Sequence, residues 1–402
     1  MANRQRYMRT ILTDFRIRSL CFCFFSLTIL GFTSCDKNTD EEINGNESES
    51  ILVKIVASVV SDTKSESVPV VDGTPAVLNN GLLIFSKSDG TIDTVMQVLP
   101  GISGGGIIGI SDLTSSTGVN IKDMKKTSSR IDFFGNVPSD VVLPDTGTDI
   151  SIFISLLQNM SVLSDASGEV NRVGLYAHEA INWAASNPRA EMDATPIASR
   201  LEIVKFERDA VHIETLDIEG IFINNFYSRA NLMGAVDDDD IIYYPATSVF
   251  EENGESYYAT QYKGITFDYD KSPYVAQQNG VNYYPITSGK VWAYNIYSGE
   301  VPHIVVKFTN LTAIQDYINL MGEDPFLKYT YWYLTITELH VGGQPFVNLE
   351  QGYVYSIQNI KVSPEDLKPI PEPEDEIFAD VQVNIVPWIP VDASTTLPNL
   401  PW

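Results

Sequence analysis

Apolar and polar residues alternate along this chain in short runs, and the period is mostly two. In ILVKIVASVV (51–60) the odd positions Ile51, Val53, Ile55, Ala57 and Val59 are all apolar, while the even positions are mixed and include Lys54 and Ser58. That pattern predicts a strand with one buried face. It returns near the end in FADVQVNIVPW (378–388), with Ala379, Val381, Val383 and Ile385 on one face and Asp380, Gln382 and Asn384 on the other. Pro387 and Pro390 stop a ladder after about Ile385, which leaves Trp388 as a terminal plug.

Between these two segments the pattern predicts further strands. GLLIFSKSDGTIDTVMQVL (81–99) reads as a hairpin turned at Asp89-Gly90. RIDFFGNVP (130–138), ASRLEIVKFERD (198–209) and TLDIEGIFINNFY (215–227) read as strands. So do VWAYNIY (291–297), HIVVKF (303–308), YTYWYLTITEL (329–339) and YVYSIQNIKV (353–362). Helical periodicity is brief, at 149–160 and 311–321. The run GISGGGIIGI (101–110) reads as a flexible loop, and 164–196 as irregular. The class is mainly β, as two sandwiches, 51–197 and 198–362, with the boundary near residue 197.

The aromatic content (20 Tyr, 18 Phe, 5 Trp) and the Val, Ile and Thr runs agree with β structure. Charge adds a compartment. The first 34 residues hold five Arg and one Asp, followed by an apolar run from Leu20 to Phe32 that is too short to span a bilayer but suits a signal peptide. From a total of 26 basic and 52 acidic residues, the remainder keeps 21 and 51, or −30. Such a chain repels nucleic acid and anionic lipid. Phe32-Thr33-Ser34-Cys35 is similar to the lipobox of bacterial lipoproteins, which implies cleavage after residue 34, acylation of Cys35 and anchoring in the outer membrane. Residues 35–50 then form an acidic tether. Cys21 and Cys23 leave with the signal, so no disulfide or thiol ligand is expected.

The spacer 363–376 (SPEDLKPIPEPEDE) carries four prolines and six acids. An extended spacer of this length reaches roughly 40 Å. It ends at the strand segment 377–402. A strand hung on a spacer has two uses: it closes its own second domain, or it completes a sheet in a neighbouring copy. Strand 51–59 has the same alternating face, so both fit one kind of groove.

Catalytic chemistry is not singled out. His178, His212, His303 and His340 have no metal-ligand spacing, and no nucleophile elbow occurs. Asp237–Asp240 lacks the calcium-loop pattern. No metal, cofactor or enzyme activity is expected. An aromatic echo joins Tyr243-Tyr244-Pro245 to Tyr283-Tyr284-Pro285. With Trp292, these rings suit a host glycan or protein receptor, or the packing of the second sandwich.

Four places carry a family likeness. RIDFFGNVP, ASRLEI (198–203), VWAYNIYSGEVPHIVVKF (291–308), and the order YVYSIQNIKV, acidic Pro-rich spacer, VQVNIVPW together resemble the fimbrillins, subunits of type V pili on Gram-negative anaerobes. The resemblance implies two transthyretin-like Greek-key β-sandwich domains, export as a lipoprotein, and location at the outer membrane and then in the surface fimbrium. It implies proteolytic removal of the N-terminal segment with its first strand. It also implies polymerisation with copies of itself and other fimbrial subunits through the C-terminal strand, in support of adhesion. The other reading is a surface glycan-binding lipoprotein, or an adhesive tip or anchor subunit. The family's best-known members are cut after Arg. No Arg lies between Cys35 and Arg130, so Lys64 is the expected cleavage position here.

Overall fold

The computed structural model describes residues 48–56, 76–101, 103–159, 173–242, 276–278, 281–283, 292–371, 378–387 and 390–392. The first half contributes β1 (Ser48–Val56), β2 (Ala76–Leu78), β3 (Gly81–Ser86), β4 (Ile92–Leu99) and β5 (Ile107–Gly109). It continues with β6 (Val119–Lys125), β7 (Arg130–Gly135), β8 (Leu175–Ala180) and β9 (Arg189–Asp193). They form a three-stranded sheet, β9-β1-β6, and a six-stranded sheet that runs Thr195–Pro196, β8, β7, β3, β4, β5. The second half begins with β10 (Ser199–Ile203), β11 (Ile213–Asn224), β12 (Trp292–Ile296) and β13 (His303–Ala313). It ends with β14 (Trp332–Ile336), β15 (Glu338–Val341), β16 (Tyr353–Ile357), β17 (Phe378–Asp380), β18 (Val383–Pro387) and β19 (Pro390–Asp392). Its sheets include β12-β10-β16-β18 and β11-β13-β14. The protein is mainly β, and the sheets change over between Pro196 and Ser199. Gly45–Trp402 is one compact unit.

Local chemistry explains these elements. At the β3–β4 turn Gly90 has φ of 86°, and the Asp89 carboxylate accepts the Thr91 N–H at 2.9 Å. Helix α1 (Ile110–Leu113) buries Ile110 and Leu113. Helix α2 (Ile150–Ile154) is capped by Asp149, whose side chain accepts from the Ser151 N–H. It gives way at Gln158–Asn159 to a short strand paired with Arg229–Ala230, a ladder that joins the two halves. Helix α3 (Gln315–Met321) stops at Gly322 in the left-handed region.

Two expectations are corrected here. The glycine-rich run is not a flexible loop throughout: β5 pairs in parallel with β4, and Ile108 is buried. At Gly109 a Cβ would meet the Gly101 carbonyl at 2.3 Å, so that glycine permits close backbone approach. Nor is 164–196 irregular over its described part, because β8, β9 and Thr195–Pro196 are strands. The sequence Arg189-Ala-Glu-Met-Asp193 alternates exposed charge with buried Ala190 and Met192. It contains no β-branched residue, so the usual strand composition is missing.

The β7 strand ends at Asn136, with φ of 56°. Its side-chain carbonyl accepts the Asn79 N–H at 2.8 Å, and its amide donates to the Val173 carbonyl at 2.8 Å. Asn136→Ala removes both bonds and leaves a β-carbon-bearing residue in an αL position. The expected loss is about 2–3 kcal/mol, read as a lower denaturant midpoint with an unchanged m-value.

Candidate strand-exchange site

Strand β1 lies in the middle of its sheet. It runs parallel to β9, with Leu52 opposite Arg189 and Lys54 opposite Glu191, and antiparallel to β6, with Ser48 opposite Lys125 and Ile51 opposite Ile121. Ile51, Val53 and Ile55 are 0%, 0% and 2% exposed. They share the core with Ile121, Met124, Ala190 and Met192. Burial of the three side chains contributes on the order of 5–9 kcal/mol before ordering costs. Ala57, Val59, Lys64 and Cys35 lie outside the described residues.

The outer face of the same sheet carries the charges. There Lys54 bonds Glu191 at 3.0 Å; at the rim of the opposite face Lys126 approaches Glu49, which stands opposite Met124, at 3.4 Å. Lys122 and Lys125 are exposed on β6, with Asp123 beside them, and Arg189 and Asp193 are exposed on β9. Sequence reading missed this arrangement because β6 and β9 are far apart in the chain. The one available signal was three lysines within VNIKDMKK (119–126) in a strongly acidic protein.

The C-terminal arm departs from a single alternating strand. Phe378–Asp380 pairs in parallel with β15, whereas Val383–Pro387 pairs antiparallel with β16 at the edge of its sheet. The break falls at Val381-Gln382, where the Val381 N–H bonds the His340 carbonyl and the Gln382 carbonyl takes the Gln358 N–H. Val381 is buried, Ala379 and Val383 are half-buried, and Ile385 is 51% exposed. A third piece, β19, pairs in parallel with β2 in the first half. Trp388 lies outside the described residues. In this structure the arm is therefore docked on its own chain.

The spacer is not extended along its whole length either. Ser363 to Pro371 packs on the body through a 3-10 turn at Pro364–Asp366, a buried Leu367, and Lys368 hydrogen-bonded both ways to Tyr333. With 363–371 held on the body, the spacer does not act as 14 extended residues; 372–377 lie outside the described residues. Burial, aided by Glu365, raises the Asp366 carboxyl above its ordinary value. A raised folded-state pKa stabilises the fold fully below the unfolded value of 3.8, and that contribution is lost as pH rises through the raised value. Asp366→Asn is thus expected to raise the melting temperature at about pH 7 and leave it unchanged at about pH 3, a difference that paired thermal melts detect.

Of the candidate ligand-contact aromatics, Tyr243, Tyr244 and Tyr284 lie outside the described residues. Tyr283 and Trp292 are placed only by their backbones, opposite Glu207 and Ile203. Among the described residues no group of three or more His, Cys, Asp or Glu side chains gathers as a metal site.

Several solved structures are similar to this chain. A putative cell adhesion protein from Parabacteroides distasonis ATCC 8503 is similar at 15% identity and TM-score 0.49, over 86% of this chain and 98% of that one. A fimbrilin from Porphyromonas gingivalis W83 is similar at 10% identity and TM-score 0.48, over 85% and 98%. The tip fimbrial protein Mfa3 from Porphyromonas gingivalis, with C-terminal truncation, is similar at 10% identity and TM-score 0.39, over 85% and 100%. The chain is similar to fimbrilins and cell adhesion proteins. No protein-family model and no curated protein matches it.

Proposed function

We propose that this protein is a structural subunit of a cell-surface fimbrium, exported as a lipoprotein on Cys35 and polymerised by strand exchange. The observation that carries this reading is the unequal burial of two matched strands. β1 fills the middle of a sheet with three fully buried side chains, yet its only covalent link onward is the 57–75 segment. The arm has the same period but sits at a sheet edge, with Ile385 half in solvent and Val383 partly so. Moving Val383 and Ile385 from that edge into the place of β1 gains up to about 1.5–3 kcal/mol for each side chain that becomes fully buried. A cut between β1 and β2 frees β1, and a neighbour's arm takes its place. The arm docked on its own chain is then the unassembled state. Its partners are copies of itself and other fimbrial subunits, and its place is the cell surface.

The test uses lipid-free chain 36–402, nicked by a Lys/Arg-specific protease and run on unboiled SDS gels with negative-stain microscopy. Ladders or filaments that require both the nick and the residues beyond Asp375 are expected. Monomer throughout, with the nick between β1 and β2 verified by N-terminal sequencing, removes the reading.

A further inference from the structure

The groove around β1 has an electrical direction. Along β1 from its N-terminal end, the outer-face neighbours are Lys125 opposite Ser48, Lys122 with Asp123 close by, and Arg189 opposite Leu52, while Lys126 reaches Glu49 at the rim of the other face. Beyond them come Glu191 opposite Lys54 and Asp193 opposite Val56. One end is basic and the other acidic, in a chain of net charge −26. β1 matches this order, with Glu49 on Lys126 at the basic end and Lys54 on Glu191 at the acidic end. Its leading sequence, EEINGNESES (41–50), is acidic as well.

We infer that the groove admits a second copy's arm in one polarity only, running as β1 runs, parallel to β9 and antiparallel to β6, with the acidic stretch Glu372–Glu376 just beyond Lys125 and Lys126 at the basic end. This rests on the strand-exchange reading above and adds the direction and the register. With Val381, Val383 and Ile385 in the positions of Ile51, Val53 and Ile55, the outer face follows by period two. Asp380 comes beside Lys122 and Arg189. Neutral Asn384 comes opposite Glu191, and Val386 opposite Asp193. The opposite polarity, centred on Val383, sets Asp380 against Asp193. It also carries Glu372, Glu374, Asp375 and Glu376 past the acidic end, away from every lysine of the patch. Like charges directly opposite on paired strands are unfavourable, and complementary ones fix register and speed encounter.

Chain 36–402 has no cysteine, so introduced pairs report contact directly. In chains carrying a site for a sequence-specific protease after Lys64, Lys125→Cys is combined with Phe378→Cys in one set and Trp388→Cys in another. After cutting and mild oxidation, covalent multimers with Phe378→Cys and none with Trp388→Cys are expected. Multimers with Trp388→Cys alone, or SDS-resistant polymers without either link, overturn the polarity while strand exchange stands. Absence of polymers from the cut parent chain overturns strand exchange and the polarity with it. As a second readout, Lys125→Glu with Lys126→Glu slows assembly about tenfold at low salt and less at about 0.5 M salt, where screening shortens the reach of charge. Unchanged rates at low salt overturn the inference.

Discussion

Glu202→Ala is expected to lower stability by about 3–5 kcal/mol, among the largest effects of any single substitution in the second half. Arg200 and Glu202 project from the same face of β10, and both are 0% exposed. The guanidinium Nε donates to Glu202 Oε1 at 2.7 Å. β10 is an interior strand between β12 and β16, so water does not reach the pair. Alanine leaves a guanidinium buried without that carboxylate, and a charge left uncompensated in the interior's low dielectric is expensive. Arg200→Met with Glu202→Leu removes both charges and is expected to recover most of the loss. Urea titrations of the two variants beside the parent chain measure both quantities. Equal midpoints for the single variant and the parent would show that the pair is solvated in solution.

The second large effect separates two residues that touch the same core. Val53→Asp puts a carboxylate into the fully buried centre of β1, at a cost of about 4 kcal/mol or more to the uncut chain. If β1 leaves on maturation, the assembled form no longer contains residue 53. Its resistance to SDS and heat is then unchanged, and assembly after cutting is faster because β1 is held less tightly. Ile121→Asp lies opposite Ile51 on β6 and belongs to the groove itself. It is expected to weaken the uncut chain and the polymer alike. Thermal melts of the uncut variants, with dissociation temperatures of their polymers on gels, read the contrast. A Val53→Asp polymer weakened as much as the uncut chain would mean that β1 stays in place.

Where burial on one face coincides with β-branched residues, the sequence was a good guide. Ile51, Val53 and Ile55, the hairpin at Asp89-Gly90 and the long strand from His303 follow from period and turn chemistry alone. β9 was hidden because Ala190 and Met192 fill its inner face, and small or flexible residues give no strand signal. The arm shows a different limit. Its period was visible, but the break at Val381-Gln382 arises from backbone bonds to His340 and Gln358, which no local pattern encodes. The charge order along β1 was equally out of reach. It exists only once β6 and β9 stand on either side, although Glu49 and Lys54 were both plain in the sequence.

The division of the arm among three sheets also has a mechanical side. Two ladders of three residues, β15 with β17 and β2 with β19, flank one of five, β16 with β18. A pull on the far end of the chain loads the short β2 ladder first, then the five-residue ladder, and β17 last. Rupture is therefore stepwise, and the middle ladder sets the force the arm withstands before it comes away. Since β2 belongs to the first half, the intact arm also acts as a strap that passes tension from one half of the protein to the other.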